Sequence, residues 1–435
     1  MIWCNVYKSR RIRKMKVSVL GGAKEVGRSA FLVNANNTNV LLDYGVLLKR
    51  EPIFPVHVRP KDVDAVVVTH AHLDHSGFVP SLFLSGNTKM QAIGTLPTFE
   101  LSRLLLEDMI KISGFYLPFE IVDISTMLNH SKILQYREPI MINNDLRITL
   151  YESGHILGGA TVIAEYDGKR VFYTGDINTR GTNLLRPADL DIGEIQLLII
   201  ESTYSQSEQT PREQSERDLV EYANEVVERR GTLFIPAFSV ERAQEITCVL
   251  KNNKFRHKIV MDGMALKANE IMLRHPSFLR NPEAFKQAIG EAEWVRGWNR
   301  RKKVVGEPCV IISPAGMLVG GSAIFYLQEI AKNERNGIAL VSYQANNTPG
   351  RLLLEKRVTM LNGKERRCLA DVRRFEFSAH NSRTELFEIL DRIEGTPKVL
   401  TVHGDGTSCL RFAEEINEKY GFDAKAPDTG DVIEI

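Results

Sequence analysis

Cysteine is scarce in this sequence, and its spacing excludes the scaffolds that cysteine usually builds. The 435 residues contain five cysteines, none of them in a CxxC pair: Cys4, Cys248, Cys309, Cys368 and Cys409. An odd and scattered set is a poor disulfide framework and has no zinc-ribbon spacing. We therefore expect reduced thiols and a cytoplasmic protein.

Long apolar runs and an excess of one charge are also missing. No apolar run reaches the roughly 18 residues that a membrane helix needs, so we expect no membrane span. Lysine and arginine total 56 against 54 aspartates and glutamates, which gives a net charge of +2. This balance neither demands nor excludes a polyanionic partner, because a local basic groove can bind phosphates on a nearly neutral protein.

Short apolar runs bounded by turn residues are frequent in the first half of the chain, and they predict buried strands. These runs are Lys16–Leu20, Val40–Leu42, Ala65–Thr69, Val171–Tyr173 and Leu197–Ile200, and a helical pattern covers Pro97–Ile112. From about Ser205, helical patterns (Glu213–Arg229, Arg242–Leu250, Leu266–Arg274) alternate with single strands (Thr232–Pro236, Lys258–Asp262, Cys309–Ser313, Ile338–Tyr343). Such alternation predicts a parallel sheet with crossover helices. Near Arg374 the first pattern returns with Phe375–His380, a helix at Arg383–Ile393 and a strand at Lys398–His403.

The change of pattern predicts an α/β protein whose first domain is interrupted by a second. We place the first domain at 15–204 and 369–435 and the inserted α/β domain at 205–368. Residues 1–14 form a basic N-terminal extension without the apolar core of a signal peptide: Lys8, Arg10, Arg11, Arg13 and Lys14. We interpret it as a disordered extension or as the product of an upstream alternative start.

The densest chemistry lies in the segment THAHLDHSG, directly after a predicted strand. It holds three histidines and one aspartate within six residues: His70, His72, Asp74 and His75. Imidazole nitrogen and carboxylate oxygen are ligands that Zn²⁺ accepts. His155, Asp176 and His403 follow, the last two at the ends of predicted strands. Alone, each would be ordinary surface polarity, but their recurrence after HAHLDH predicts one metal site.

These motifs resemble the metallo-β-lactamase fold, an αββα sandwich with two metals at one edge of its sheets. The resemblance implies one Zn²⁺ held by His70, His72 and His155 and a second held by Asp74, His75 and His403. It also implies that Asp176 bridges the two ions and that Asp43, in NVLLDYG, orients ligands without binding metal. Two such ions can share a hydroxide and clamp a phosphate oxygen.

The metal motif alone does not distinguish lactamases, thioesterases and nucleases. These enzymes differ in the leaving group that their reaction expels, and therefore in their need for a general acid. A thiolate departs without help, whereas a ribose alkoxide needs a general acid. His380, in FEFSAHNSR, is a further histidine, and Glu201, in LLIIESTY, could hold it protonated. The pair favours phosphodiester cleavage, with Asp74, Asp176 and Asp43 completing the catalytic set.

Glu201, His380 and His403 also resemble motifs A, B and C of the β-CASP nucleases. IPAFSVERAQE, MDGMA, VIISPAGMLVGGSAIFYL and VSYQANNTPGR are similar to signatures of the inserted β-CASP domain. A histidine at motif C implies RNA as substrate. The opening VSVLGGAKEVGRSAFLV looks closest to the archaeal group without a KH module, which is related to the cleavage and polyadenylation specificity factor and to RNase J. Glu241 and Asn381 depart from the frequent Gly and Ala of these motifs.

The resemblance implies RNA contacts at Ser313, Gly316, Ser342 and Tyr343, where structural turns are the competing interpretation. The basic segment RGWNRRKK, with Arg300 and Arg301, is either a further RNA contact or a solvated loop, and residues 1–14 could also touch RNA. We expect an endonuclease, a 5′→3′ exonuclease or both, acting as a homodimer or within a processing or decay complex. The alternatives are a hydrolase of a small ester or thioester and a non-catalytic subunit of a processing complex.

Overall fold

The computed structural model describes residues 14–49, 51–84, 89–345, 347–361 and 364–435. Of the predicted basic extension, residues 1–13 and Cys4 lie outside this described part. The other four cysteines, Cys248, Cys309, Cys368 and Cys409, are buried free thiols, as the sequence predicts. Within the described ranges, no helix is both long enough and apolar enough to cross a membrane.

The strands follow one another along the whole chain. In chain order they are β1 (Met15–Gly21), β2 (Ala30–Ala35), β3 (Thr38–Leu42), β4 (Ala65–Val67), β5 (Gln91–Gly94), β6 (Ser131–Ile133), β7 (Ile140–Ile142), β8 (Leu146–Glu152), β9 (Ala160–Tyr166), β10 (Lys169–Tyr173), β11 (Leu197–Glu201), β12 (Thr232–Pro236), β13 (Ile259–Met261), β14 (Glu293–Trp294), β15 (Cys309–Ser313), β16 (Gly337–Leu340), β17 (Val358–Leu361), β18 (Lys364–Arg367), β19 (Asp371–Arg374), β20 (Lys398–Val402), β21 (Asp423–Lys425) and β22 (Val432–Glu434).

The helices fall mainly between strands of the central and C-terminal parts. They are α1 (Leu73–Ser76), α2 (Leu96–Ser113), α3 (Ile121–Asn129), α4 (Arg212–Glu228), α5 (Arg242–Asn252), α6 (Ala265–Arg274), α7 (Pro282–Glu291), α8 (Trp298–Val304), α9 (Ser322–Ile330), α10 (Pro349–Lys356), α11 (Arg383–Asp391) and α12 (Gly406–Tyr420). Short 3₁₀ helices lie at Pro60–Asp62, Val79–Phe83, Gly114–Tyr116 and Pro276–Phe278.

The first domain is the predicted αββα sandwich. One seven-stranded sheet has the order β22-β1-β2-β3-β4-β5-β6, and the other has the order β21-β20-β11-β10-β9-β8-β7. Alternate strand residues such as Val17, Val33, Val162 and Ile199 meet in one buried core between the sheets, because successive side chains point to opposite faces. Separate apolar layers join the outer faces to helices, with α2 and α3 on one side and α11 and α12 on the other.

The inserted domain carries a parallel sheet with the order β14-β13-β15-β12-β16-β19. Its last strand, Asp371–Arg374, comes after the predicted boundary at Cys368 and pairs in parallel with Gly337–Leu340. The sequence DVRR has no apolar run, and only its pairing partner makes it a strand. On either side of the insertion, β11 and β20 lie side by side in parallel register, from Leu197↔Lys398 to Glu201↔Val402.

Candidate metal centre

The HAHLDH segment is held in place by the backbone of the neighbouring strand end. After β4 the chain forms α1, and its carbonyls accept hydrogen bonds from Ser29 N to Asp74 O and from Tyr44 N to His75 O, both at 2.9 Å. Gly45 makes this approach possible, since a Cβ there would lie 1.8 Å from the Asp74 carbonyl oxygen. The close packing of backbone on backbone fixes the direction of the Asp74 and His75 side chains.

The structure brings all seven sequence-predicted metal ligands together. Their ligand atoms form two groups whose members lie within 4.8 Å of one another: His70, His72, His155 and Asp176, and Asp74, His75, Asp176 and His403. Asp176 belongs to both groups, with Oδ2 3.4 Å from His155 Nε2 and Oδ1 3.2 Å from His75 Nε2. Asp176 thus lies between the two groups, which is the position that its predicted bridging role requires.

The donor atoms of this cluster fit a cation. His70 Nε2, His75 Nε2 and Asp176 Oδ1 are buried and have no hydrogen-bond partner among the described residues. His72 Nδ1 and His155 Nε2 face each other at 3.2 Å. Buried polar atoms without partners cost free energy, and metal coordination would satisfy them. Nitrogen and carboxylate donors in these two sets suit Zn²⁺.

Asp43 orients two of the histidines from behind. Its Oδ2 accepts from His75 Nδ1 at 2.7 Å and from the Thr69 hydroxyl at 2.8 Å. Because the Thr69 proton goes to Asp43, its oxygen accepts from His70 Nδ1 at 3.1 Å. Both imidazoles therefore keep the Nε2 lone pair for the cluster. The Tyr173 hydroxyl donates a third hydrogen bond to the same oxygen, Asp43 Oδ2, at 2.9 Å.

His155 is fixed by a backbone group from the distant motif B. Its Nδ1 donates to the Ala379 carbonyl at 2.9 Å, which leaves Nε2 facing Asp176. Burial, followed by the neighbouring histidines and opposed by Asp176, lowers the pKa of both His155 and His70. Neutral imidazoles are the form that binds a metal. Burial raises the pKa of Asp176, but His403 and His75 outweigh it and hold that pKa well below its ordinary value.

The predicted Glu201–His380 pair is present beside the cluster. His380 Nδ1 lies 2.9 Å from Glu201 Oε2, and His380 Nε2 lies 3.8 Å from Asp176 Oδ2. Burial disfavours the imidazolium, but Glu201 and then Asp176 outweigh burial and raise the pKa of His380 to about 9. Glu201 is fully buried and also accepts from Ile177 N at 2.9 Å. The pair can therefore hold a proton on the nitrogen that faces the ligand cluster.

The residues predicted to contact RNA are of two kinds in the structure. Ser313, Gly316, Ser342 and Tyr343 follow β15 and β16 at the carboxyl edge of the inserted sheet, where ligands of open α/β sheets bind. Ser342 Oγ is buried and has no hydrogen-bond partner in the described part of the chain, and Tyr343 is exposed. Arg300 instead pairs with Glu293 and Glu307, and Arg301 pairs with Asp262. These carboxylates already engage both guanidinium groups, so an RNA phosphate would have to compete with them, and RNA contact by the two arginines stays a prediction.

Two contributors escaped the sequence interpretation. The Ala379 carbonyl could not be found from residue types, because every residue has one. Tyr204, whose ring centroid lies 6.1 Å from that of His380, stands three residues after Glu201 in ESTY. Its position close to the predicted catalytic residue Glu201 in the sequence is the feature that could have identified it.

The sequence matches three family models along most of its length. A metallo-β-lactamase superfamily domain matches residues 32–203, and a β-CASP domain matches residues 243–353. A Zn-dependent metallo-hydrolase RNA specificity domain matches residues 367–427.

Relatives that match nearly the whole of this chain come from archaea. RNase aCSPSF2 of Saccharolobus solfataricus is 36% identical over 96% of this chain and 85% of its own length. Transcription termination factor FttA of Methanocaldococcus jannaschii is 35% identical over 97% of this chain and 72% of its own. Probable RNase MJ4 of the same organism is 32% identical over 97% of this chain and 100% of its own.

A solved structure shares the fold at low sequence identity. A protein of unknown function from Enterococcus faecalis V583 superposes with a TM-score of 0.62 and 15% identity. The match covers 97% of this chain and 100% of the other. At this identity the likeness concerns the architecture alone.

Proposed function

Because this chain belongs to the β-CASP family of metallo-β-lactamase-fold proteins, we propose that it is a metal-dependent ribonuclease. It hydrolyses RNA phosphodiester bonds internally, from the 5′ end, or both, in RNA processing or decay. Two of the relatives compared above carry ribonuclease names, which supports RNA as the substrate class.

One observation carries the proposal: a buried carboxylate binds a histidine that lies beside the ligand cluster and is additional to its ligands. Glu201 binds His380 Nδ1, and His380 Nε2 faces Asp176. A hydrolase of thioesters has no need for such a group, because a thiolate leaves unaided. The pair therefore favours a phosphodiester over the thioester considered from the sequence, and the large inserted domain counts against a small ester. The complete ligand set also argues against a purely non-catalytic subunit.

We assign two Zn²⁺ ions to the two ligand groups that share Asp176. When bound, the two ions would supply Lewis-acid contacts to the phosphate and a water of lowered pKa. Asp43 and Thr69 keep the imidazoles of His75 and His70 in the ligating tautomer. The protein residues thus set ligand direction before the ions arrive.

The proton for the leaving group comes from His380. During cleavage His380 Nε2 gives its proton to the departing ribose oxygen. The imidazole that remains is neutral, and its Nδ1–H still donates to the Glu201 carboxylate. General acid catalysis of this kind contributes about 10²–10⁴-fold in rate. Ser313, Gly316, Ser342 and Tyr343 offer hydroxyl and backbone groups for the RNA phosphates at the facing edge of the inserted sheet.

Further parts of the proposal follow from the chain's general character. Buried thiols without disulfides fit the reducing cytoplasm. A homodimer, or membership of an RNA-processing complex, remains the proposal made from the sequence, and mass measurement of the purified protein tests the dimer.

The substitution Asp74→Ala tests the proposal directly. The native chain should bind about two zinc ions, and the variant should lose one of them and all RNA cleavage, because Asp74 belongs to only one ligand group. Zinc content and cleavage of an end-labelled RNA are measured together with the unfolding temperature. The exposed Asp423→Ala variant is the matched control. A folded Asp74→Ala protein with full activity would contradict the site assignment.

A further inference from the structure

A strongly basic hairpin stands apart from the site described above. The strands β17 and β18 form a two-stranded sheet of their own, with the register Val358↔Arg367 to Leu361↔Lys364. Between residues 356 and 367 there are five basic residues and one acidic residue, Glu365: Lys356, Arg357, Lys364, Arg366 and Arg367. The whole chain has a net charge of only +2, so this short segment concentrates positive charge.

Apart from Arg357, which binds the Val372 carbonyl, the cations of the hairpin have no ion-pair partner among the described residues. Every residue of β18 is exposed. Among the described residues, no carboxylate forms an ion pair with Lys356, Lys364, Arg366 or Arg367, whereas the exposed Arg137, for comparison, pairs with Asp189 and Asp191. Self-repelling cations on an exposed strand give no core packing, and a partner of opposite charge would offset their repulsion.

The hairpin is tied to the body at its base. Cys368 N donates to the Arg357 carbonyl at 2.8 Å, and the Arg357 guanidinium donates to the Val372 carbonyl. Thr359, on β17 itself, is buried. The free cations therefore stand on a fixed ribbon, where alternate side chains of one face are about 7 Å apart, a spacing suited to successive charges of a polyanion.

Helix α10 connects this hairpin to the proposed RNA-binding edge. It follows the loop after β16 and begins against the loop after β15, where Gly350 N donates to the Met317 carbonyl at 3.3 Å, and it ends at Lys356. Its 8 residues span about 12 Å at 1.5 Å per residue. An RNA strand that leaves the carboxyl edge of the inserted sheet near Tyr343 and follows α10 would reach the hairpin.

We propose that the β17–β18 hairpin is a second RNA-binding surface, which anchors the substrate strand outside the catalytic cleft. This inference rests on the proposed function for the identity of the polyanion. Arginine and lysine neutralise phosphates without reading sequence, so the contact adds affinity and length dependence to the enzyme rather than base specificity. An acidic protein surface is the competing occupant, and the test separates the two.

The test compares short and long substrates with a hairpin variant, Lys364→Glu with Arg366→Glu and Arg367→Glu. RNAs of about 5 and about 30 nucleotides lie below and above most of the range of single-strand site sizes. The control variant makes the same charge change at three exposed lysines on other elements, Lys61→Glu with Lys132→Glu and Lys286→Glu. Unfolding temperatures verify that both variants are folded.

The hairpin variant should lose tenfold or more in kcat/KM on the long RNA at low salt and should keep native kcat/KM on the short RNA. In an Asp74→Ala background, its plot of log affinity for the long RNA against log salt should become shallower by about 0.7 per lost phosphate contact, or roughly 2 for three. The control variant should keep most of the native slope.

Two results would overturn the inference. Equal losses in the hairpin and control variants would reduce the effect to net charge, and unchanged RNA binding in the hairpin variant would leave an acidic protein as the occupant. Failure of the proposed function gives a different result. In that case the native chain would not cleave either RNA, while the binding measurement would still report whether the hairpin contacts RNA.

Discussion

At the scale of single residues, His380 is the group that distinguishes this site from a plain metallohydrolase. Its Nδ1 is occupied by Glu201, so that only Nε2 can exchange a proton with a substrate. The role assigned to it is protonation of a poor leaving group. Its importance should therefore depend on the leaving group and not on the metals.

The substitution His380→Ala should lower RNA cleavage by about 10²–10⁴-fold. Hydrolysis of a phosphodiester with a nitrophenolate leaving group should fall much less, because that anion departs without a proton. The measurement is kcat on both substrates, with zinc content determined for the same samples. Glu201→Gln should follow the same pattern more weakly. Equal losses on the two substrates would exclude the general-acid role.

Glu241 is a residue whose charge the fold has not satisfied. It is 3% exposed, its Oε1 has no hydrogen-bond partner among the described residues, and its φ of 73° is in the left-handed region. Burial, with Glu245 adding to it and Arg242 and Arg212 opposing, raises the pKa of Glu241 from 4.5 to about 7. Gly is favoured at such a φ, which explains why the motif that this segment resembles frequently has Gly where this chain has Glu241.

The raised pKa predicts a pH-dependent stability cost. Below about pH 4.5 the carboxyl is protonated in both states, and between 4.5 and 7 only the unfolded state releases the proton. The native state therefore loses up to about 3 kcal/mol across this window, and the loss is constant above it. Glu241→Gln should match the native chain at pH 4 and be more stable at pH 8 by denaturant unfolding. The exposed Glu418→Gln is the control, and a difference independent of pH would contradict the pKa as the cause.

At the scale of elements, the turn formed by α1 depends on one glycine of the neighbouring segment. Gly45→Ala would place a Cβ 1.8 Å from the Asp74 carbonyl oxygen and 2.1 Å from its carbon. Backbone atoms cannot rotate away, so α1 must shift, and Asp74 and His75 shift with it.

We expect Gly45→Ala to lower stability by about 3 kcal/mol or more and to reduce zinc content. Gly290→Ala is the matched control, because Gly290 lies in α7 with no atom within 4 Å of an added Cβ. That variant should be more stable by about 0.5–1 kcal/mol. Zinc analysis and denaturant unfolding check both. Native zinc content in a folded Gly45→Ala protein would show that the clamp does not set ligand geometry.

Elements made of apolar runs could be predicted from the sequence, and those that depend on long-range pairing could not. Thr232–Pro236 and Cys309–Ser313 were predicted to the residue, because buried parallel strands are apolar on both faces. The strand predicted at Ala65–Thr69 ends at Val67, since Thr69 N leaves the sheet to donate to Asp43. The residue types of the ligands revealed the site, whereas the backbone contact from Ala379 required the fold.

At the scale of the whole molecule, the two domains share one apolar core. Leu157, Leu184 and Leu185 of the first domain belong to the same buried cluster as Phe285 and Ile289 of the inserted domain. Most of the buried apolar residues from α4 to α7 belong to it as well. This shared packing holds the inserted domain against α2 and the loops around Leu157 and Leu184 of the first domain.

Glu245 is the polar counterpart of that core. From α5 in the inserted domain it accepts from Asn183 N and Leu184 N of the first domain, each at 3.1 Å, and from Arg212 at 3.1 Å. Asn183 and Leu184 lie on the loop that follows Asp176. The carboxylate therefore connects the inserted domain to the segment that carries the bridging ligand.

A shared core and a buried ionic contact predict that the two domains unfold together. Calorimetry of the native chain should give one transition whose calorimetric and van't Hoff enthalpies agree. Glu245→Ala removes the carboxylate bonded to Asn183 N, while Leu184 N keeps the Thr182 hydroxyl and Arg212 keeps Glu216, so the change should cost about 1–3 kcal/mol. The exposed Glu270→Ala should cost nothing measurable. If Glu245→Ala instead resolves two transitions, the loop contact, and not the apolar core, is what makes the domains cooperative. Two transitions in the native chain would contradict the common core as a unit of stability, because each domain would then hold together without the other.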